Sequence, residues 1–178
     1  MTSDENAPDE IVWQGKYITA RKKGRWEYVS RSRGIRAAVI LAVDEANHVI
    51  LVEQFRVPLG KRCIELPAGL IGDDVGAEGE EPVAAAAREL EEETGYRAGR
   101  MELIGEFYSS PGMVSESFTL VRAHDLEKVG EGGGTESEDI TVHRVPLASV
   151  AEAIASWREQ GLAIDVRLLM VLGPGLLE

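Results

Sequence analysis

Between Ile35 and Val43 the chain reads IRAAVILAV, an almost unbroken apolar run. That is the pattern of a strand buried on both faces. DEAN (Asp44 to Asn47) supplies turn residues and HVILVEQFRV returns as a second apolar run, so the pair predicts a β-hairpin. Upstream, IVWQGKYITARKKG and RWEYVSRSR read as short strands, with Lys22-Lys23-Gly24 turning between them. Downstream, CIELPAGL reads as a further short strand ending at Pro67 and Gly69. Pro82 suits a first helical position with Glu81 as its cap, and PVAAAARELEEET continues as a helix until Gly95, a natural stop. MELIGEFYSSPG and SESFTLVRAHDL predict strands on either side of a Ser-Pro-Gly turn, and ITVHRVP predicts another. LASVAEAIASWREQG has helical amphipathicity ended by Gly161, and DVRLLMVLG predicts a last short helix. IGDDVGAEGEE and EKVGEGGGTESED are Gly-rich acidic loops, the second expected to be flexible. The sum is a mixed α/β (α+β) domain, a β-rich core flanked by helices and preceded by a small antiparallel β appendage.

Composition narrows the classes of function. A chain of 178 residues, 44% hydrophobic and 28% charged, suits one soluble domain with a small appendage. The longest apolar runs fall short of a membrane span. MTSDENAPDE is acidic and polar, the reverse of a signal peptide, and residues 1–9 are expected to be a disordered tail. The net charge of −12 disfavours nucleic acid and anionic membrane as partners. An anionic small molecule stays possible if metal ions and a few arginines reverse the sign locally. Cys63 is the only cysteine, which excludes an intrachain disulfide and points to a reducing cytoplasm. Flanked by Ile64, it reads as a small buried hydrophobe. His48, His124 and His143 are scattered without zinc-ligand spacing and read as structural or surface residues.

The chemistry concentrates in ARELEEETGY, Ala87 to Tyr96. On a helix Glu89, Glu92 and Glu93 share a face, whereas Glu91 points elsewhere, and Arg88 lies one turn before Glu92. Three converging carboxylates oriented by one arginine suit a hard divalent cation such as Mg²⁺ or Mn²⁺. Helical spacing alone does not decide the matter and favours a solvated acidic face.

The order Arg88-Glu89-Leu90-Glu91-Glu92-Glu93-Thr94-Gly95-Tyr96, with Glu80 eight residues before Arg88, resembles the Nudix box. The box begins with a glycine six residues before its first glutamate. Here Gly69, in Leu66-Pro67-Ala68-Gly69-Leu70, is the glycine in the right setting, which implies a five-residue insertion before Glu80. A competing register pairs Gly72 with Glu78 but breaks the spacing to Arg88. The resemblance implies a Nudix-type α/β/α sandwich with a mixed sheet, and the activity of a hydrolase of nucleoside diphosphates linked to another moiety.

From about Gly15 to Leu172 the chain resembles the ADP-ribose pyrophosphatase branch of the Nudix hydrolases. Pro111 falls sixteen residues beyond Gly95, where that branch places a marker proline, although a proline in Ser-Ser-Pro-Gly also serves as a turn residue. Val52-Glu53-Gln54-Phe55-Arg56 and Glu65-Leu66-Pro67-Ala68-Gly69 are also similar to that branch. The resemblance implies a metal site of Glu89, Glu93 and the carbonyl of Ala68, with Glu92 as a further or water-mediated ligand and Arg88 orienting the set. In Glu136-Ser137-Glu138-Asp139 it implies a mobile acidic loop, with Glu136 activating water and Glu138 adding a metal contact; a solvated loop is the plain alternative. Arg56 is expected to reach the phosphates, or else to be a surface arginine at a strand end. Leu70 and Pro111 are expected beside the substrate. Tyr17 and Trp26 are expected to sandwich adenine, with Glu27 or Arg31 bonding its edge, although aromatic residues in strands also pack cores.

These expectations divide the chain into a tail (1–9), N-terminal strands for dimerisation and adenine recognition (10–34) and a Nudix domain (35–178). The leading expectation is Mg²⁺-dependent hydrolysis of ADP-ribose to AMP and ribose 5-phosphate by a homodimer with exchanged N-terminal strands. Its rivals are a Nudix hydrolase for a nucleotide sugar, NADH or coenzyme A, a non-catalytic domain that senses ADP-ribose, and an acidic interaction domain.

Overall fold

The computed structural model describes residues 4–32, 36–72, 79–135 and 138–173. The strands, in chain order, are β1 (Asp9–Gln14), β2 (Ile18–Lys23), β3 (Trp26–Arg31), β4 (Arg36–Ala42), β5 (His48–Arg56), β6 (Lys61–Glu65) and β7 (Ala68–Ile71). Helix α1 (Pro82–Thr94) follows, then β8 (Tyr96–Tyr108), β9 (Ser117–Lys128), β10 (Ile140–Pro146), α2 (Val150–Glu159), β11 (Ala163–Ile164) and a 3-10 segment, Val166–Leu172. They form an antiparallel appendage, β1-β2-β3, and two mixed sheets, β7-β4-β9-β8 and β10-β5-β6-β11. This is the mixed α and β architecture that the sequence predicts. No helix of the described residues is long and apolar enough to cross a membrane.

The alternation along β4 sets the layers. Val39 and Leu41 pack with Val150, Leu168 and Val171 beneath α2 and the 3-10 segment. Ala38, Ile40 and Ala42 face the other way, against Ala85, Ala86 and Leu90 of α1. With a period of two, one strand thus supplies both cores. Small side chains at Ala38, Ala42, Ala85, Ala86 and Ala123 let α1 lie close to the sheet.

Two strand expectations change. β4 and β5 do not form a hairpin ladder; only Val43 and Val49 bridge them. The turn itself is built as read, with Asp44 Oδ1 accepting from the N–H groups of Ala46 and His48, both at 2.9 Å. Both edges of β4 are taken by β7 and the parallel β9, while β5 pairs with β6 and β10. Turn chemistry dictates that the chain reverses, not which edges pair, and two strands apolar on both faces can each become central. CIELPAGL is likewise two strands in different sheets. Pro67, which has no N–H for a ladder, stands between them, and its carbonyl accepts from Ile40 at 2.8 Å. At the N-terminus, where composition predicts a disordered tail, Asp4–Asn6 form a 3-10 turn and Asp4 pairs with Arg25 at 2.8 Å.

The segment after β9, expected to be flexible, is tied to the end of α1. The N–H groups of Gly133 and Gly134 donate to the carbonyls of Glu93 and Glu92 at 2.8 and 3.0 Å. Val129 N–H donates to Gly95 O at 2.8 Å, and Lys128 Nζ to Thr94 O at 2.9 Å. The carbonyls that a helix C-terminus leaves unpaired therefore find donors. The approach needs glycine: Gly132 has φ +72°, and a Cβ there would overlap the backbone of Thr94. Gly132→Ala should lower unfolding free energy by about 1–3 kcal/mol in urea denaturation. Gly112→Ala, in open space, should leave it unchanged.

Candidate functional site

Helix α1 starts at Pro82 and ends where Gly95 turns left-handed with φ +70°, its N–H closing on Glu91 O at 2.9 Å. Leu90 and Thr94 sit in the core beneath. The adjoining face turns Glu89, Glu92 and Glu93 into a cavity of about 910 Å³. Glu91 pairs with Arg97 at 2.8 Å on the solvent side, as the spacing predicts.

Arg88 fans over the carboxylates, 2.9 Å from Glu89, 3.2 Å from Glu92 and 3.5 Å from Glu80. Glu80 also accepts from the N–H of Gly72 at 3.2 Å. The Gly69–Glu80 register thus has its arginine contact, while Glu78 of the competing register lies outside the described residues. Glu93 is only 5% exposed and accepts the Ala68 N–H at 3.0 Å. A Cβ on Gly69 would collide with the Glu89 carboxyl group, so β7 approaches α1 this closely only with glycine at that position.

Electrostatics set this cluster apart from a solvated acidic face. Burial pushes the Glu93 carboxyl up to about 8; its neighbours Glu89 and Glu138 push the same way, while the Ala68 N–H opposes. Burial also raises Glu89, against the pull of Arg88. Among the described residues no three His, Cys, Asp or Glu side chains are already gathered as a ligand shell. Each carboxylate is held by a protein donor instead: Glu89 by Arg88, Glu93 by Ala68, and Glu138 by the N–H of Thr135 at 2.9 Å. The donor set nonetheless fits a hard divalent cation, being all oxygen and partly desolvated.

The remaining expected residues fall into three groups. Arg56, Leu70, Arg31 and Glu138 line the same cavity as Glu89 and Glu93. Arg56 grips Glu65 through two hydrogen bonds of 2.6 and 2.9 Å, and Arg31 pairs with Glu116 at 2.6 Å. Trp26 and Pro111 line a separate cavity of about 430 Å³, and Glu27 is exposed beside Trp26. Glu136 lies outside the described residues. The β2–β3 register pairs Ile18 with Arg31 and Lys23 with Trp26. Tyr17 and Trp26 therefore stand at opposite ends of the ladder, roughly 20 Å apart at strand rise, and cannot sandwich one base within one chain. Cys63 is buried as expected, its thiol pushed up to about 12. Sequence reading missed Asp165 and Arg167, whose only signal is an acid and a base two apart at the edge of an apolar run. It also missed a role for Glu65, an acid inside the apolar CIEL.

Glu93 makes stability depend on pH in the metal-free protein. Between its ordinary value of 4.5 and about 8, the unfolded chain releases this proton and the folded chain keeps it. Its contribution to stability therefore falls as pH rises through that window. In EDTA, Glu93→Gln should melt above the parent chain at pH 8, the gap closing towards pH 5; a gap independent of pH contradicts the assignment.

The comparisons with known proteins agree with this geometry. A family model described as the NUDIX domain matches residues 33–163. The chain is 38% identical over 168 residues to the GDP-mannose pyrophosphatase of Cronobacter sakazakii, covering 88% of this chain and 82% of that one. It is 38% identical over 121 residues to the ADP-ribose pyrophosphatase of Bacillus subtilis, covering 67% and 63%. In fold it resembles a crystal structure described as an ADP compounds hydrolase, with a TM-score of 0.68 and 23% identity over 93% of this chain and 89% of that one. The family match spans most of the chain and takes in all of α1 with its carboxylates, and the chain belongs to the Nudix hydrolase family.

Proposed function

We propose that this protein hydrolyses the pyrophosphate of ADP-ribose to AMP and ribose 5-phosphate, with Mg²⁺ or Mn²⁺ held at α1. The observation that carries the reading is one cavity lined by both the α1 carboxylates and Arg56. Glu89, Glu93 and the Ala68 carbonyl would hold the metal, with Glu92 and Glu138 as further contacts. The ion supplies Lewis-acid chemistry, neutralising the diphosphate and acidifying water. The chain's own groups do the rest. Arg88 holds Glu89 and Glu92 in place, Arg56 offers a guanidinium to a phosphate, and Leu70 closes the cavity beside the substrate. Glu136 takes the proton of the attacking water. As water bonds to one phosphorus, the bridging P–O bond breaks and its electron pair leaves with the other phosphate.

GDP-mannose is the second reading, favoured because the relative of that name aligns along more of this chain than the ADP-ribose pyrophosphatase does. Chromatography of products from both substrates with Mg²⁺ separates the two readings. ADP-ribose should give the higher kcat/KM, and equal or faster turnover of GDP-mannose would replace the first reading by the second. Glu93→Gln should lower the rate by about two orders of magnitude or more, while an acidic interaction domain or a non-catalytic sensor would show no activity to lose.

The exposed appendage supports a homodimer with exchanged N-terminal strands. β1 is exposed along its whole length, with Ile11, Val12 and Trp13 at 54%, 65% and 56%. An edge strand with exposed apolar side chains of this kind calls for a partner. A second copy would let Tyr17 and Trp26 from different chains approach one adenine, with Glu27, Arg31 and Pro111 at its margin. The cytoplasm, the compartment that the lone buried thiol suits, completes this reading. Trp13→Asp should shift the protein to a monomer in sedimentation velocity and raise KM; an unchanged dimer contradicts the exchange.

A further inference from the structure

The cavity is also lined by a chain of charges, Arg56, Glu65, Arg167 and Asp165, of which the expected site names only Arg56. Glu65 is 4% exposed at its side chain and accepts from two arginines. Arg56 gives it Nε and Nη2 at 2.6 and 2.9 Å, and Arg167 gives Nη2 to the same Oε2 at 3.1 Å. Arg167 is in turn gripped by Asp165, with Nε to Oδ1 at 2.7 Å and Nη2 to Oδ2 at 2.8 Å. Its guanidinium lies 5.8 Å over the ring of Phe118. Asp165 is anchored to the sheet, its N–H donating to Ile64 O at 3.0 Å. Arg167 lies beyond the span that the family model matches.

Glu65 and Asp165 together balance Arg56 and Arg167, and Glu65 has a donor from each arginine. If Arg56 were the sole partner of Glu65, turning it towards an anion would strand a buried charge, which is costly. With Arg167 also on Glu65, Arg56 can spend its outward donors on a ligand while Glu65 stays paired. Arg56 is 41% exposed, and its field reaches Glu93 across the cavity. We propose that Arg167, acting through Glu65, is a positioning residue that holds Arg56 ready for the substrate's diphosphate. The proposal rests on the reading of this cavity as a diphosphate site.

The test compares Arg167→Met, Arg167→Lys, Arg56→Lys and the double variant Arg56→Lys/Arg167→Met. It reads KM and kcat with ADP-ribose and GDP-mannose, and calorimetric binding of imidodiphosphate with Mg²⁺. Arg167→Met should raise KM and weaken imidodiphosphate about tenfold each, with kcat falling less than about threefold. Arg167→Lys, which keeps the charge and loses the fork, should recover part of the loss. In the double variant the effects should be less than multiplicative, since both act on one contact. Unchanged KM and imidodiphosphate affinity in a folded Arg167→Met protein, or fully multiplicative effects, would overturn the proposal. If Arg167→Met fails to fold, Arg167→Lys decides alone: a raised KM supports the proposal and an unchanged one overturns it. Imidodiphosphate carries neither base nor sugar, so its weakening is read whichever substrate is turned over. Failure of the parent chain to bind it contradicts the diphosphate site itself and takes this proposal with it.

Discussion

The structure turns on one carboxylate, that of Glu93, buried against β7 with a single backbone N–H for a partner. A lone carboxylate in such a place is driven towards its neutral form, and its neighbours Glu89 and Glu138 add to the pressure. A fold maintained only for stability would place a hydrophobic residue at this point, as it does at Leu90 one turn earlier. The helix bears this cost where a cation can relieve it.

The surroundings follow from holding that carboxylate still. Ala38, Ala85 and Ala86 let α1 lie close on the sheet, and Gly69 lets β7 pass against Glu89. The glycines after β9 cap the end of α1 through the carbonyls of Glu92 and Glu93 themselves. Glu138, a neighbour of Glu93, lines the same cavity. Two pairing systems then divide the cavity: Arg88 serves the carboxylates of α1, while Glu65 carries Arg56 and Arg167. On the proposed reading the separation matters, because a cation and an anionic diphosphate need neighbouring surfaces of opposite sign.

Much of this was legible in the chain, for reasons that differ by element. The ends of α1 were readable because Pro82 and Gly95 act locally through fixed φ and the absence of a Cβ. The split between Glu91 and its neighbours needed only helical geometry. The β4–β5 hairpin misled because turn residues at Asp44–Asn47 decide a reversal, whereas strand partners are decided by ladders far along the chain, such as β9 on β4. Tyr17 and Trp26 were grouped by chemistry, and the register of β2 on β3 sets them apart. Arg167 escaped because a contact across 102 positions, from Glu65, leaves no local spacing to read.

The most direct measurement is the proton balance of metal binding. Calorimetric titration of the protein with Mn²⁺ at pH 7, in buffers of different ionisation enthalpy, counts protons released per ion. With Glu93 held up to about 8, most of its population carries a proton at pH 7, and binding at α1 should release about one proton. Glu93→Gln should abolish that release and weaken binding. Binding without proton release, or the same release from Glu93→Gln, would contradict a cation site built on Glu93.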